Sequence, residues 1–140
     1  MAEVMTGKCL CGAVTITIGA HAGVASACHC SMCRRWTGAV QWGFEAPVDG
    51  VEISGAVGLY RSSEFAERAW CKNCGTHLWL RDIDAAYEFV PGLFEDARDM
   101  PLAREVYADQ AFACAALAGD HHRVTRAKYE ANNRFVEDAR

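Results

Sequence analysis

Seven of the eight cysteines in this 140-residue chain fall into three tight groups: Cys9/Cys11, Cys28/Cys30/Cys33 and Cys71/Cys74. Only Cys114 stands alone. A chain of this length allows one domain with a modest core, so any cross-link carries a large share of its stability. The first question is whether the thiols form disulfides or hold metal. A disulfide framework belongs to an oxidising compartment, usually reached through a signal peptide. The N-terminal run from Met1 to Lys8 has an early acid and no apolar stretch of that kind. The segment after it, Val14-Thr15-Ile16-Thr17-Ile18, alternates apolar and polar as a half-buried strand does. No apolar run is long enough to span a bilayer. The expected setting is therefore the cytoplasm, where thiols stay reduced. Spacing agrees, because cysteines one or two residues apart rarely bridge each other yet readily share an ion. The reading is metal.

Charge excludes some partners. The formal net charge is −4 with histidines neutral, and two divalent ions would bring fewer positive charges than seven thiolates bring negative ones. A nucleic-acid or anionic-membrane binder needs a basic face, and there is no basic excess here to build one. The sole adjacent basic pair is Arg34-Arg35, directly after Cys33.

No linker, repeat or low-complexity stretch interrupts the chain. Strand-like runs recur at 13–18, 24–28, 39–44, 57–60, 65–70, 76–80 and 86–90, separated by turn signals such as Pro47-Val48-Asp49-Gly50, Ser54-Gly55 and Pro91-Gly92. Regular short strands predict a mainly β domain, with Val14/Ile16/Ile18 and Val40/Trp42/Phe44 facing the core. The tail reads differently. Residues 111–118 form a small apolar run around Cys114, suited to an inert buried thiol. Gly119-Asp120-His121-His122 looks like a surface loop. Residues 125–137 suit a short helix with Thr125 as N-cap. Its weak apolar stripe would pack at a sheet edge or at a contact between two copies, so a homodimer is allowed.

Cys71-Lys72-Asn73-Cys74-Gly75 has the form of a zinc knuckle, whose glycine permits the tight turn. Joined to Cys9-Leu10-Cys11-Gly12 it completes a tetrahedral four-thiolate site, closed and therefore structural. In Cys28-His29-Cys30-Ser31-Met32-Cys33, an extended start points Cys28 and Cys30 one way and His29 the other. Cys33 then returns from the following turn. Three protein ligands leave a position open, the mark of a catalytic zinc; the rival is a second structural site completed by His29 or His77. Spacing alone also permits other pairings, such as Cys9/Cys11 with Cys30/Cys33.

Four segments together resemble the glutathione-dependent formaldehyde-activating enzyme family, also called the GFA or CENP-V/GFA domain family. They are Gly7-Lys8-Cys9-Leu10-Cys11-Gly12-Ala13-Val14; Cys28-His29-Cys30-Ser31-Met32-Cys33-Arg34 with Gly38; Tyr60-Arg61-Ser62-Ser63; and Arg68-Ala69-Trp70-Cys71-Lys72-Asn73-Cys74-Gly75 with Leu78. The resemblance covers residues 4–110 and leaves 111–140 as a C-terminal extension. It implies an Mss4-like fold of several coiled antiparallel β-sheets around a four-cysteine zinc site, with a short C-terminal helix. It further implies two zinc ions per chain. Cys9, Cys11, Cys71 and Cys74 would hold the structural one, and Cys28, Cys30 and Cys33 the catalytic one. Trp70 stands where family members often carry Phe.

The chemistry that the resemblance implies is a carbon–sulfur lyase or synthase acting on thiol–aldehyde adducts, such as glutathione plus formaldehyde giving S-(hydroxymethyl)glutathione. The partners are then a small-molecule thiol and an aldehyde, with no nucleic acid and no membrane. Arg34 and Arg35 are candidates to offset the thiolate charge or bind a glutathione carboxylate. Ser31, Ser62 and Ser63 are candidate hydrogen-bond donors to substrate, against ordinary turn chemistry. His29 reads as a packed strand histidine ahead of a proton shuttle, and Trp36 and Tyr60 as core ahead of pocket wall. Two other functions compete: a non-catalytic zinc-binding interaction module, and a sulfoxide reductase of related fold using Cys114.

Overall fold

A computed structural model describes residues 4–138. The chain opens with β1 (Met5–Lys8), β2 (Thr15–Ile18), β3 (Ala25–Cys28), helix α1 (Ser31–Thr37) and β4 (Gln41–Ala46). It continues through β5 (Glu52–Ser54), β6 (Val57–Arg61), β7 (Ala66–Cys71), β8 (His77–Asp82) and β9 (Tyr87–Phe89). β10 (Leu102–Val106), β11 (His122–Val124) and helix α2 (Arg126–Asn132) complete it. The protein is mainly β, as the spacing of the apolar runs predicts. No helix among the described residues is long and apolar enough to cross a membrane.

The described residues divide into two compact units, one from 4–24 with 43–100 and the other from 25–42 with 101–138. In the first, β1, β2 and β5 form an antiparallel sheet in which Gly7 faces Ile16 and Ile16 faces Ile53. A second antiparallel run has the order β4-β9-β8-β7-β6. Val14, Ile16 and Ile18 are fully buried, so the alternating segment turns its apolar face inward as expected. Phe44, Leu78, Trp79, Phe89 and Phe94 complete that core. The Phe44 and Phe94 rings meet edge to face, with centroids 5.4 Å apart. Each such side chain removed from water contributes roughly 1.5–3 kcal/mol.

Two expectations about burial are corrected. Phe44 is buried as expected, but so are Gln41, Gly43 and Ala46 of β4, while Trp42 and the preceding Val40 are only half-buried. Burial here does not follow one face, since Gln41 and Gly43 are buried on the side where Glu45 is exposed. Tyr60, read as core, is also exposed.

The second unit is built on parallel pairing, in the order β11-β10-β3. Glu105 lies opposite Ala27 on one side and Arg123 on the other. Helix α1 has Cys30 as its N-cap, where the sequence suggests only a turn, and closes on Gly38. The Thr125 hydroxyl caps α2 by accepting from the Lys128 N–H at 3.2 Å, as expected. That helix stops at Asn132 rather than 137. Its weak stripe remains largely in water: Ala127, Ala131, Phe135 and Val136 are not buried, and Tyr129 is half-covered, its ring 5.1 Å from that of Tyr107.

Two expectations about the tail fail. Cys114 sits in a short 3-10 turn, Ala113–Ala115, and is exposed rather than buried. Three residues are too few to fold an apolar run inward against a partner. His121 is not surface loop either, since its side chain is only 2% exposed.

Candidate metal centres

The four sulfurs of Cys9, Cys11, Cys71 and Cys74 come together within 4.8 Å of one another, in the first unit. Two turns deliver them. One follows β1, where the Cys9 N–H donates to the Val14 carbonyl and the Gly12 N–H to the Cys9 carbonyl. The other joins β7 to β8, where the Cys71 N–H donates to Thr76 and the Gly75 N–H to Cys71. Gly12 and Gly75 carry φ of 81° and 78°, left-handed values that other residues adopt only at a cost. The Leu10 N–H donates to the Thr76 hydroxyl at 3.1 Å and ties one turn to the other.

The donor set fits an ion. Zinc bonded to four thiolates at about 2.3 Å in a tetrahedron needs sulfurs about 3.8 Å apart. The Cys9 and Cys11 sulfurs are 3.6 Å apart, and those of Cys11 and Cys71 are 3.9 Å apart. The surroundings also stabilise negative sulfur. Val14 N–H donates to Cys9 at 3.2 Å, while Ala13 N–H and the Asn73 amide donate to Cys11 at 3.4 and 3.1 Å. The Thr76 hydroxyl lies 3.1 Å from the Cys74 sulfur, and with the Thr76 N–H it pulls that thiol down to about 5. The alternative pairing of Cys9/Cys11 with Cys30/Cys33 does not occur.

Cys28, Cys30 and Cys33 form the second group, in the second unit. Cys28 ends β3, Cys30 caps α1, and Cys33 stands in the first turn of that helix. The Cys33 N–H donates to the Cys30 sulfur at 3.4 Å, and the Cys30 N–H to Cys28 at 3.5 Å. A helix start thus supplies the return that the sequence reading assigned to a turn. The sulfurs of Cys30 and Cys33 push the Cys28 thiol well above its ordinary value, since three crowded thiols cannot all ionise without a cation. This set also fits a thiophilic ion, but it offers three sulfurs, and neither His29 nor His77 joins it.

His29 points away from the sulfurs into a buried network. Its Nε2 lies 2.6 Å from one oxygen of Glu105, and His121 Nε2 lies 2.7 Å from the other. Arg123 Nε approaches the second oxygen at 3.5 Å. His29 is fully buried and Glu105 nearly so. An ionised carboxylate only accepts, so both imidazoles donate from Nε2. Burial alone would push the Glu105 carboxyl up, but the bonds from His121 and His29 outweigh it and hold it below its ordinary value. Sequence reasoning missed Glu105 and His121 because Arg104-Glu105-Val106 and His121-His122 carry ordinary surface patterns.

The remaining candidates separate. Arg34 lies on α1, its guanidinium 4.8 Å from the centroid of the Phe112 ring, with a buried Nε that has no partner. Arg35 is exposed on the same helix, and Ser31, half-buried, is its first residue. Ser62 and Ser63 belong to the first unit, in the turn after β6. The Ser63 hydroxyl accepts from the Phe65 and Ala66 N–H groups at 3.2 and 3.1 Å, while the Ser62 hydroxyl is buried without a partner.

Comparison with known proteins adds three findings. The family model described as "Glutathione-dependent formaldehyde-activating enzyme" matches residues 4–110. A protein of Schizosaccharomyces pombe named as an uncharacterized lyase is 40% identical over 75 residues, which is 53% of this chain and 55% of that relative. The chain thus matches about half the length of this curated relative. A crystal structure of a Rhodobacter sphaeroides protein superposes with a TM-score of 0.58 and 28% identity, covering 71% of this chain and all of the other.

Proposed function

The chain belongs to the glutathione-dependent formaldehyde-activating enzyme family, and from that premise we propose that it is a zinc-dependent carbon–sulfur lyase acting on thiol–aldehyde adducts. The observation that carries the reading is the group Cys28, Cys30 and Cys33, which gathers three sulfurs and no fourth ligand among the described residues. The four-sulfur group, by contrast, is complete and serves structure. Held by Cys28, Cys30 and Cys33, a zinc ion would supply the positive charge that lowers the pKa of an incoming thiol toward neutral.

The reaction itself joins a thiol sulfur to an aldehyde carbon, and the proton lost by sulfur ends on the carbonyl oxygen. With glutathione and formaldehyde the product is S-(hydroxymethyl)glutathione, and the reverse cleaves the carbon–sulfur bond. The chain's own residues bind and orient. Three thiolates outweigh a divalent cation, so the site is negative and needs basic neighbours. Arg34 supports this role: it sits one residue past Cys33, stacks on Phe112, and pairs with no carboxylate among the described residues. Its fork is the candidate partner for a thiol's carboxylate, with Arg35 and Ser31 beside it on α1. Ser63 is a weaker candidate, because its hydroxyl already closes its own turn, whereas the Ser62 hydroxyl keeps its capacity to bond.

Native mass spectrometry of metal content, repeated with glutathione, tests the proposal. Two zinc ions per chain with glutathione retained is the expected result. Two ions without thiol retention would favour a non-catalytic binding module. One ion or none would overturn the assignment.

A further inference from the structure

Glu105 stands on the central strand of the second unit, where β10 lies between β3 and β11. Its backbone is level with Ala27 on one neighbour and Arg123 on the other. The residues its carboxylate holds most closely are not those two. His29 lies two residues beyond Ala27, and His121 two residues before Arg123. Two residues along an extended chain return to the same face, so the carboxylate spans two opposed diagonals. One contact, at 2.6 Å, resists slip of the β3 end in one sense, and the other, at 2.7 Å, resists slip of β11 in the other. The His29 N–H also donates to the Val106 carbonyl at 3.1 Å, so backbone and side chain of the same residue are both fixed to β10.

His29 separates two of the three sulfurs in sequence. Because side chains alternate, fixing His29 on one face fixes the direction of Cys28 and Cys30 on the other. A buried carboxylate between two imidazoles is a poor way to gain stability alone, since an apolar cluster of the same volume serves at least as well. Its gain is geometric. We propose that Glu105, clamped between His29 and His121, is the positioning residue of the three-sulfur metal centre, and that the C-terminal tail is thereby part of that centre. The inference rests on the assignment of Cys28, Cys30 and Cys33 as metal ligands.

The test uses the full-length zinc-loaded protein and competition with a chelator, which reads the two ions separately. The first-unit ion serves as the internal control. Glu105→Gln keeps the shape but lets only one histidine retain its acceptor. It should weaken the second ion roughly 10- to 100-fold, the usual cost of losing a hydrogen-bond partner that orients metal ligands, and leave the first ion unchanged. Cobalt-loaded protein should show a matching loss in the thiolate charge-transfer band of the three-sulfur site only. His121→Ala should weaken the second ion in the same direction, and His121→Gln, whose amide can still donate to Glu105, should restore most of it. Second-ion affinity unchanged from wild type in both Glu105→Gln and His121→Ala overturns the inference while leaving the metal assignment intact. So does an equal loss at both sites in His121→Ala, which would mark a general loss of fold. A wild-type chain that binds one ion overturns the metal assignment as well.

Discussion

The two sulfur groups are assembled in opposite ways. In the first unit the four thiols sit on two tight turns, tied together by the Leu10 to Thr76 bond and surrounded by donors from Val14, Ala13, Asn73 and Thr76. In the second unit three thiols sit where a strand ends and a helix begins, and a buried carboxylate lies on the opposite face of the same segment. A closed set of four has no vacancy for chemistry but locks two distant stretches of chain together. An incomplete set of three binds less tightly by itself and relies on the surrounding fold for its aim. The contrast lies in how many donors the fold brings together, four in one group and three in the other.

The largest effect should come from breaking the closed set. Structural zinc contributes about 10–16 kcal/mol, comparable with the whole stability of a small domain. Cys74→Ser is therefore expected to give insoluble or unfolded protein, checked by soluble yield and thermal melting. A soluble variant with unchanged melting would reverse the division of roles. Cys33→Ser should behave differently. It should fold, keep the first ion and lose the second, with carbon–sulfur lyase activity falling by more than the roughly 100-fold that changes behind the ligands cost. Metal stoichiometry and turnover on a glutathione–formaldehyde mixture measure this.

Acid should separate the centres more gently. Protons compete with the ion for thiolate, so a depressed thiol pKa preserves metal binding to lower pH and a raised one surrenders it earlier. In the closed set Cys74 is held down at about 5 by the Thr76 hydroxyl and N–H and Cys9 also lies below its ordinary value, though Cys71 lies above it, whereas the neighbouring sulfurs push Cys28 well above its ordinary value. As pH falls, the second ion should leave before the first, followed by native mass spectrometry across a pH series. Loss in the reverse order would contradict the electrostatic difference between the groups. The smallest effect belongs to the thiol in neither group. Cys114→Ser should change stability by no more than about 0.5 kcal/mol and leave both ions in place. In the metal-loaded wild type this exposed thiol should alkylate first. Fast alkylation alone then says nothing for a reductase role.

Much of the architecture was legible because it depends on near neighbours. Val14-Thr15-Ile16-Thr17-Ile18 alternates, and its apolar side faces the core. Gly75 follows a cysteine pair that needs a tight turn, and it takes the left-handed conformation expected there. Thr125 precedes a helix and caps it. Val40 and Trp42 misled, because along this stretch burial does not follow one face: Gln41 and Gly43 are buried as well as Phe44. Residues 111–118 misled for another reason: apolar composition records what a segment would gain by burial, not whether three residues of turn can reach a partner.

By itself the sequence determined the thiol chemistry, the strand pattern and the orientation of His29 away from its flanking cysteines. These follow from residue type and from the two-residue period of an extended chain. Spacing left open which cysteines share a centre; the family resemblance implied the partition, and tertiary structure brings it about, since Cys11 and Cys71 are 60 residues apart yet bring their sulfurs to 3.9 Å. Tertiary structure alone set Phe112 under Arg34 and Glu105 between His29 and His121. No local period encodes such contacts. They exist because β3, β10 and β11 lie side by side, and the register of those strands brings distant residues within hydrogen-bond reach.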